Sequence, residues 1–364
     1  ESKTGGYALN ERVQLATGYI VRSTIPSNAN NPNVDMTGWG FDDNTVESIA
    51  DLIAINNPKD GQVVNVKGFY PPNFGLLSPY SGGGDLVAVF DSELSEDGCV
   101  VFRGADDTRW IRLTNRYLTA SQAGCKEGDF DNTDLLNKAI ASVSNHGIGE
   151  LILDGFYKIS KLEKGITTTP FGNEPIYWLL KARSNVTIKG RTWADGIILG
   201  GGLVASNATE AQTKGYCVFG DYNSPDIENF TITNFTIDNN GYENLLPAVN
   251  EHGSQALCPN VWFQRGKNIN SYKVHYLNNP GHQTIVIDVG VDGSHVVDNK
   301  FTDNGRGLLG NNNIWDHSTI YCRAKNFFIS GNEGVVTDGR LPEINTFLEI
   351  HGEDGIVIGN IGRG

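Results

Sequence analysis

The stretch that decides the fold is DFDNTDLLNKAIASVSNHGIGELILDGFYKIS, residues 129–160. Apolar residues at helical spacing predict a short amphipathic helix over 134–145, with Thr133 or Asp134 as its N-cap. Gly147 and Gly149 end the helix, because glycine adopts turn conformations that other residues resist. Two short strands are predicted next, at 151–153 and 157–159. A helix is thus followed directly by β-structure.

An imperfect repeat of apolar residues runs from residue 160 to the end of the chain. Its clearest copy is Phe230, Ile232, Phe235 and Ile237, and a weaker copy ends at Trp193. The first positions of the copies are 186, 230, 269, 294, 327 and 356, and a second strand is predicted before each, at 177–180, 216–219, 261–264, 284–288, 319–323 and 347–351. The unequal spacing favours a β-solenoid, in which extra residues become loops.

The helix, the glycine turn and the two strands resemble the entry to the pectate-lyase-like right-handed parallel β-helix of bacteriophage tailspikes. The matching residues are Asp129, Asp131, Asp134, Leu135, Ala139, Ile140, Leu151, Leu153, Gly155, Tyr157 and Ile159. Residues 45–115 also resemble the small module that precedes this helix in many tailspikes. The resemblance implies an all-β fold, a right-handed parallel β-helix with an N-terminal capping helix, preceded by a small α+β module.

The predicted domains are a loosely ordered lead-in at 1–40, the α+β module at 41–120 and the β-helix at 121–364, where further sequence or a partner subunit is expected to cover the end. In the module, Asn44 and Glu47 have the spacing of a helix capping box. Strands are predicted at 63–66, 86–90, 99–102 and 110–113.

Composition limits the classes of partner. The net charge of −14 argues against a protein that follows the phosphates of nucleic acid, and no apolar stretch is long enough to span a membrane. The five scattered cysteines predict free, mostly buried thiols of a protein assembled in a reducing cell. Four Asn-x-Ser/Thr sequences, at 185, 207, 229 and 234, are interpreted as solenoid turns.

Strand alternation places four polar side chains on one outward face. If Leu348 and Ile350 are buried, Glu349 and His351 point outward; the same alternation places Tyr321 and Arg323 outward on the strand before. Asp316 and His317 precede that strand. Carboxylate, imidazole, phenol and guanidinium groups together favour a sugar-cleaving site, although each residue could equally be a solvated face residue or a turn cap.

Further candidates for substrate contact lie in loops. Trp315 is a predicted sugar platform, and Glu251 with His252 belongs to a long insertion at 238–258. No spacing of histidines, cysteines or carboxylates predicts a metal site, and no cofactor is predicted.

The tailspike resemblance implies the function. It implies a phage tailspike that binds and depolymerises a bacterial surface polysaccharide, capsule or O-antigen, most simply by glycosidic hydrolysis. A lyase acting on a uronic-acid-containing glycan and a non-catalytic receptor-binding adhesin remain alternatives. The resemblance also implies a homotrimer in the virion, attached to the phage tail by an upstream anchor, assembled in the host cytoplasm and acting at the bacterial surface.

In the hydrolase hypothesis, Glu349 is the general acid and Asp316 the base, and Tyr321, Arg323, His317 and His351 position the sugar. Because Asp316 is set back from its strand, we expect the wider carboxyl separation, about 6.5–9.5 Å, that is typical of inverting enzymes.

Overall fold

The structure is a computed structural model of the 364-residue chain. It describes residues 6–8, 11–14, 20–23, 26–33, 39–41, 44–72, 80–164, 176–203, 215–220, 226–241, 243–244, 258–281, 283–304, 318–337 and 346–363. The chain divides into two compact units, Glu1–Leu113 and Thr114–Gly364. The three-part division at 1–40, 41–120 and 121–364 stays a prediction.

The first unit contains two small sheets. In and directly after the predicted lead-in, where no strand was predicted, three strands pair antiparallel: β1 (Arg12–Gln14), β2 (Ile20–Ser23) and β3 (Trp39–Phe41). The second sheet has the order β4-β5-β6-β8-β7, formed by β4 (Thr45–Ser48), β5 (Val63–Gly68), β6 (Gly82–Val89), β7 (Val101–Arg103) and β8 (Arg109–Arg112). Its core contains Val46, Ile49, Leu52, Val64, Val66, Leu86, Ala88, Phe102 and Trp110. With helix α1 (Ile49–Ile53) and a 3-10 turn (Ala105–Asp107), it forms the predicted α+β module.

Helix α1 begins later than the sequence predicted. The capping-box prediction for Asn44 and Glu47 is wrong, because the residues after Asn44 pair with β5 as strand β4. Ser48 is the N-cap, and its hydroxyl accepts a hydrogen bond from Asp51 N at 3.3 Å. Glu47 instead forms an ion pair across the sheet with Lys67, 2.7 Å from carboxylate to Nζ.

The second unit is a parallel β-helix with three sheets. Sheet A contains β12 (Glu163–Lys164), β13 (Ile176–Lys181), β16 (Gly215–Gly220), the first residues of β19 (Val261–Tyr272) and β21 (Ile285–Val297), β23 (Ser318–Cys322) and β26 (Thr346–Ile350). Sheet B contains β9 (Tyr117–Thr119), β10 (Glu150–Leu153), β14 (Val186–Gly190), β17 (Ile227–Thr233), the later residues of β19 and β21, β24 (Lys325–Ser330) and β27 (Ile356–Ile358). Sheet C contains β11 (Phe156–Ile159), β15 (Gly196–Leu199), β18 (Thr236–Asp238), β20 (His275–Leu277), β22 (Lys300–Thr302), β25 (Glu333–Val335) and β28 (Ile361–Arg363). Every pairing in this unit is parallel except that of β12 with β13, so the predicted fold class is confirmed.

Strand register confirms most of the predicted repeat. Five of its first positions lie in one row across sheet B: Val186, Phe230, Ile269, Ser294 and Phe327. The sixth prediction, Ile356, is wrong, because Ile356 pairs with Phe328 and is 59% exposed. Gly355 takes the inward position there, and a Cβ atom on it would lie 2.1 Å from Phe327 Cζ.

Asparagines and glycines stack at the two corners that bound sheet B. Before the sheet, positive φ angles occur at Asn185, Asn229, Asn268, Gly293 and Asn326; after it, at Asn234, Lys273, Asp298, Gly331 and Gly359. Asparagine and glycine adopt this left-handed conformation at the lowest cost. Three of the four Asn-x-Ser/Thr sequences therefore lie at turns, as predicted, and Asn207 lies outside the described residues.

A second set of asparagines is buried inside the solenoid. Asn332 Nδ2 donates to Asn360 Oδ1 at 2.8 Å and to Val296 O at 2.8 Å. Its Oδ1 accepts from Asn299 N and Asn299 Nδ2, both at 3.0 Å. The three asparagines thus satisfy one another's polar groups from coil to coil and fix the stacking register.

Helix α2 (Thr133–Asn145) confirms the predicted amphipathic helix. Its N-cap is Asn132 rather than Thr133 or Asp134, and Asp131 Oδ1 accepts the Thr133 N–H at 3.0 Å. The helix packs on β9, β10, β13 and β14, the first strands of sheets A and B, and so covers the start of the solenoid. No helix in the described ranges is long and apolar enough to cross a lipid bilayer.

The five cysteines are free thiols, and all of them are buried: Cys99, Cys125, Cys217, Cys258 and Cys322. This confirms the prediction from their spacing. Burial raises the pKa of Cys258 to about 12, so its thiol stays protonated at neutral pH.

Candidate functional site

The outward faces of β23 and β26 bring four of the predicted site residues together. Tyr321 pairs directly with Glu349 in sheet A. Arg323 and His351 follow two residues later, directly after the ends of these strands, and continue the same outward face. Ile320 and Cys322, which alternate with Tyr321 and Arg323 along the chain, are fully buried, as the alternation predicted. We call the group formed by these four residues and Asp288 the β23–β26 site.

The carboxylate of Glu349 and the imidazole of His351 are in contact. His351 Nε2 lies 2.8 Å from Glu349 Oε1. The Glu349 side chain is 23% exposed and that of His351 is 56% exposed, so the carboxylate is the more shielded of the two. This contact fixes one carboxylate oxygen while the group remains open to a ligand.

Tyr321 lies close to the imidazole of His351 and to the charged groups of Glu349 and Arg323. Its ring centroid is 5.6 Å from that of His351. Burial is the main cause that raises the pKa of Tyr321; Glu349 adds to the rise, and Arg323 opposes it. The phenol is therefore protonated at neutral pH and is a hydrogen-bond donor rather than a base.

Asp288 completes the site, and the sequence prediction missed it. Arg323 Nη1 lies 3.5 Å from Asp288 Oδ1, whose side chain is 9% exposed. The backbone N–H of Val289 donates to the same carboxylate at 2.7 Å. Arg323 N also bonds to Ile287 O at 2.8 Å, which places Asp288 beside Arg323 in the preceding coil.

The signal that would have found Asp288 was present in the sequence. Ile285 and Ile287 are buried, so Val286 and Asp288 share the outward face by the same alternation that was applied to β23 and β26. The alternation of buried and outward residues in this third coil therefore indicates Asp288 as a further outward-facing residue.

A surface cavity of about 330 Å³ adjoins the site. It is lined by Val289, Tyr321, Arg323, Lys325, His351 and Glu353. Lys325 and Glu353 form an ion pair across it at 3.1 Å. Charged groups of both signs with one phenol match the donors and acceptors that sugar hydroxyls require.

An apolar row continues from Tyr321 toward the start of the solenoid. Tyr321 pairs with Val286, and Val286 pairs with Trp262. The Trp262 ring lies 6.5 Å from that of Trp178, and both indoles are at most 2% exposed. Trp178 lies against Gly220, where a Cβ atom would be 1.9 Å from its ring. The site therefore rests on a rigid, closely packed apolar base.

The other predicted site residues belong to parts of the chain that the structure does not describe. Trp315, Asp316, His317, Glu251 and His252 lie outside the described residues, so their positions and roles stay predictions. In the described ranges, no three or more histidine, cysteine, aspartate or glutamate side chains are grouped as metal ligands.

Residues 45–115 match the phage tail protein small four-stranded β-sheet domain. Solved structures of the tailspike of E. coli bacteriophage HK620 match the chain more broadly. A mutant in complex with a pentasaccharide is 16% identical over 73% of this chain and 44% of that one, with a TM-score of 0.51. A double mutant of the same tailspike is 16% identical over 74% of this chain and 44% of that one, with a TM-score of 0.54. This chain has the tailspike fold.

The resemblance to bacteriophage tailspikes predicted from the sequence is thus confirmed. The chain spans less than half the length of the HK620 tailspike structures that it matches. The tailspike gp42 of Acinetobacter phage vb_AbaP_AS12 is 18% identical over 81% of this chain and 49% of that one, with a TM-score of 0.47. No curated protein sequence matches the chain.

Proposed function

We propose that this chain binds and depolymerises a bacterial surface polysaccharide, capsule or O-antigen, by hydrolysing a glycosidic bond at the β23–β26 site. The observation that carries the proposal is the contact of Glu349 with His351, 2.8 Å apart on an outward face that also presents Tyr321 and Arg323. The tailspike fold supports it, since the HK620 tailspike with that fold was solved with a pentasaccharide bound.

Glu349 is the proposed general acid. Its carboxyl group is held by His351 Nε2 through one oxygen, and its side chain is 23% exposed. A carboxylic acid within hydrogen-bond reach of the glycosidic oxygen can protonate it as the bond breaks. The exposed imidazole, in contact with both the carboxyl group and solvent, can return the proton after each turnover.

Arg323 and Tyr321 are the proposed substrate-positioning groups. Asp288 and Tyr321 both contact the Arg323 guanidinium, and its remaining N–H groups are donors for ligand hydroxyls. The protonated Tyr321 phenol offers a further donor and an apolar ring face. Asp316 remains the proposed base, activating water on the opposite side of the sugar.

The decisive experiment incubates the protein with purified polysaccharides from a panel of bacterial strains and measures product size and ultraviolet absorbance. Shortened chains without new absorbance would support hydrolysis. Shortened chains with the absorbance of a new C=C bond would identify a lyase instead. Binding without any change in chain length would identify an adhesin, and no binding at all would refute the proposal.

We further propose that the chain works as a homotrimer in the phage virion, attached to the tail through sequence upstream. The tail-protein match at residues 45–115 supports the virion assignment. Sedimentation equilibrium tests the trimer directly, and a monomer at micromolar concentration would contradict it.

A further inference from the structure

The corner between β14 and β15 carries an insertion. Ile188 aligns with Ile232 in sheet B, and Ile197 aligns with Ile237 in sheet C. Nine positions lead from Ile188 to Ile197 but only five from Ile232 to Ile237, so this corner contains four extra residues. The insertion carries Trp193, which the sequence repeat had placed at an apolar position of the solenoid. That placement is wrong, because Trp193 is 43% exposed.

The loop that carries Trp193, residues 191–195, is closely held. Asp195 is 5% exposed, and its carboxylate accepts hydrogen bonds from Arg191 N at 2.9 Å, Arg191 Nη2 at 2.8 Å and Thr192 N at 3.2 Å. On the other side, Thr236 Oγ1 donates to Trp193 O at 2.7 Å. The loop is therefore anchored both to itself and to the next coil. We call it the Trp193 loop.

The indole itself has a fixed orientation. Trp193 Nε1 donates to Lys273 O at 2.5 Å, two coils further along the solenoid. The ring also contacts the imidazole of His275, with centroids 5.3 Å apart at 44°. Trp178 and Trp262 are buried, whereas this indole keeps an open face. An aromatic ring that is already immobile loses little entropy when it binds a ligand.

We propose that the Trp193 loop is a second polysaccharide-binding site, separate from the β23–β26 site, in which a pyranose ring packs its C–H face on the Trp193 indole. This inference rests on the proposed function, since it assumes that the chain binds a polysaccharide. The outward side chains of Lys300 and Thr302, on the strand of sheet C next to that of His275, supply partners for sugar hydroxyls.

The surroundings of the indole favour a glycan over a second copy of the chain. The outward rows next to it carry polar and charged side chains, including Lys300, Thr302 and Asp238, whereas the centre of a protein interface is depleted of charge. His275 Nε2 lies 3.0 Å from Thr302 Oγ1. Burial first, and then Lys300, lowers the pKa of His275 to about 4, so the ring is neutral at pH 7 and can bind a hydroxyl without a charge.

The two sites lie on different sheets of the solenoid. The Trp193 indole contacts Lys273 and His275, in the coil of β19 and β20, and in sheet A the row from β19 passes through β21 and β23 to β26. Two to three coil steps of about 4.8 Å give an axial separation of roughly 10–14 Å between the indole and the pair β23–β26, and sheet B lies between them around the coil. A short oligosaccharide therefore occupies one site at a time, and only a chain of several sugar units reaches both.

The experiment compares wild type, Trp193→Ala and Trp193→Phe on the polysaccharide that the wild-type protein shortens in the strain panel, and on a short oligosaccharide cut from it. For Trp193→Ala, we expect KM for the long polysaccharide to rise about tenfold, with kcat unchanged and oligosaccharide turnover unchanged. Trp193→Phe keeps an aromatic ring, so its KM for the long polysaccharide should lie between those of the wild type and Trp193→Ala. If the wild type binds without cutting, Kd replaces KM.

Tyr117→Ala is the matched control, because Tyr117 is an aromatic side chain that is 46% exposed on sheet B. It should behave as wild type. Equal KM in wild type and Trp193→Ala would overturn the inference while leaving the proposed function intact. A changed oligomeric state in Trp193→Ala would show that the surface binds another copy instead. If the wild type neither binds nor shortens any polysaccharide, the proposed function fails and the inference fails with it.

Discussion

The β23–β26 site and the Trp193 loop present aromatic and polar groups in two different ways. In the first, Tyr321 and Glu349 are neighbours because strand register stacks them, one coil above the other. In the second, Trp193 reaches His275 because four extra residues leave the repeat and fold back across it. Register places chemistry in rows on the face of a sheet, whereas an insertion places it at a corner. Changes to the first should affect catalysis, and changes to the second should affect attachment.

The largest effect expected is on turnover at the β23–β26 site. Glu349→Gln keeps a hydrogen-bonding partner for His351 but removes the transferable proton, so kcat should fall about 100-fold or more while polysaccharide binding and Tm stay near wild type. Glu333→Gln is the control, since Glu333 is an exposed glutamate on sheet C that pairs with Arg363 and does not line the cavity. If Glu349→Gln retains wild-type turnover in a reducing-end assay, the acid lies elsewhere.

The stacked rows depend on the buried asparagines. Asn332→Ala would leave the buried Asn299 N–H without its acceptor and would remove the Nδ2 donor to Val296 O, and we expect it to cost about 2–3 kcal/mol of unfolding free energy. Urea unfolding followed by circular dichroism measures this. Asn270→Ala, on the outward face of β19, should cost less than about 0.5 kcal/mol. Equal losses in both variants would mean that the buried ladder does not fix the register.

A smaller effect is expected where Asp288 acts through Arg323. Asp288→Asn removes the carboxylate that holds the guanidinium, so we expect kcat/KM to fall about tenfold, mostly through KM, because Arg323 then adopts several orientations. Asp292→Asn, on the same strand and bonded to Asn326, is the control. A fall in kcat alone would instead show that Asp288 takes part in the chemical step.

The smallest effect is a pH dependence of stability at the Trp193 loop. The pKa of His275 is about 4 in the folded chain against 6.5 for the free group, so between these values only the unfolded state binds the proton. Stability should therefore fall as the pH decreases from about 6.5 to about 4. Over this pH range, the decrease in Tm should be smaller in His275→Gln than in the wild type, and the difference should be a few degrees at most.

Nuclear magnetic resonance gives a direct test of the same group. The imidazole of His275 should titrate near pH 4 in the wild type and at a higher pH in Lys300→Gln, because Lys300 contributes to the lowered pKa. Asp238 opposes that shift and remains in both proteins. A His275 resonance that titrates at 6.5 or above in the wild type would contradict this account.

Where the sequence succeeded, side chains alternated regularly between core and solvent. Ile320 and Cys322 are buried beside Tyr321, so the outward face of β23 could be predicted from the sequence. The helix over 133–145 was equally clear, because its apolar spacing and the glycines after it agree. The tailspike resemblance added the fold that these local patterns alone left open.

The prediction of inward positions from the sequence failed where an apolar residue faces outward in the structure. Ile356 was placed at the first position of a repeat copy because it is apolar, but the ring of Phe327 fills the space next to Gly355 and the isoleucine faces outward. Trp193 was placed at an apolar position of the repeat for the same reason, although an insertion displaces it. Separate strands were predicted on the two sides of the corner between sheets A and B, at 261–264 and from 269, and at 284–288 and from 294, but β19 and β21 run across it without a break.

The unequal lengths of the coils have a consequence for how tailspike-type chains diversify. The aligned positions 186, 230, 269, 294 and 327 are separated by 44, 39, 25 and 33 residues. Because the entropy of closing a loop grows only with the logarithm of its length, the longest of these coils costs about 0.5 kcal/mol more to close than the shortest. A loop can therefore be lengthened, shortened or exchanged at a corner with almost no thermodynamic penalty to the stacked strands. Under the proposed function, the polysaccharide that is bound can change through such exchanges while the scaffold that carries the loops stays the same.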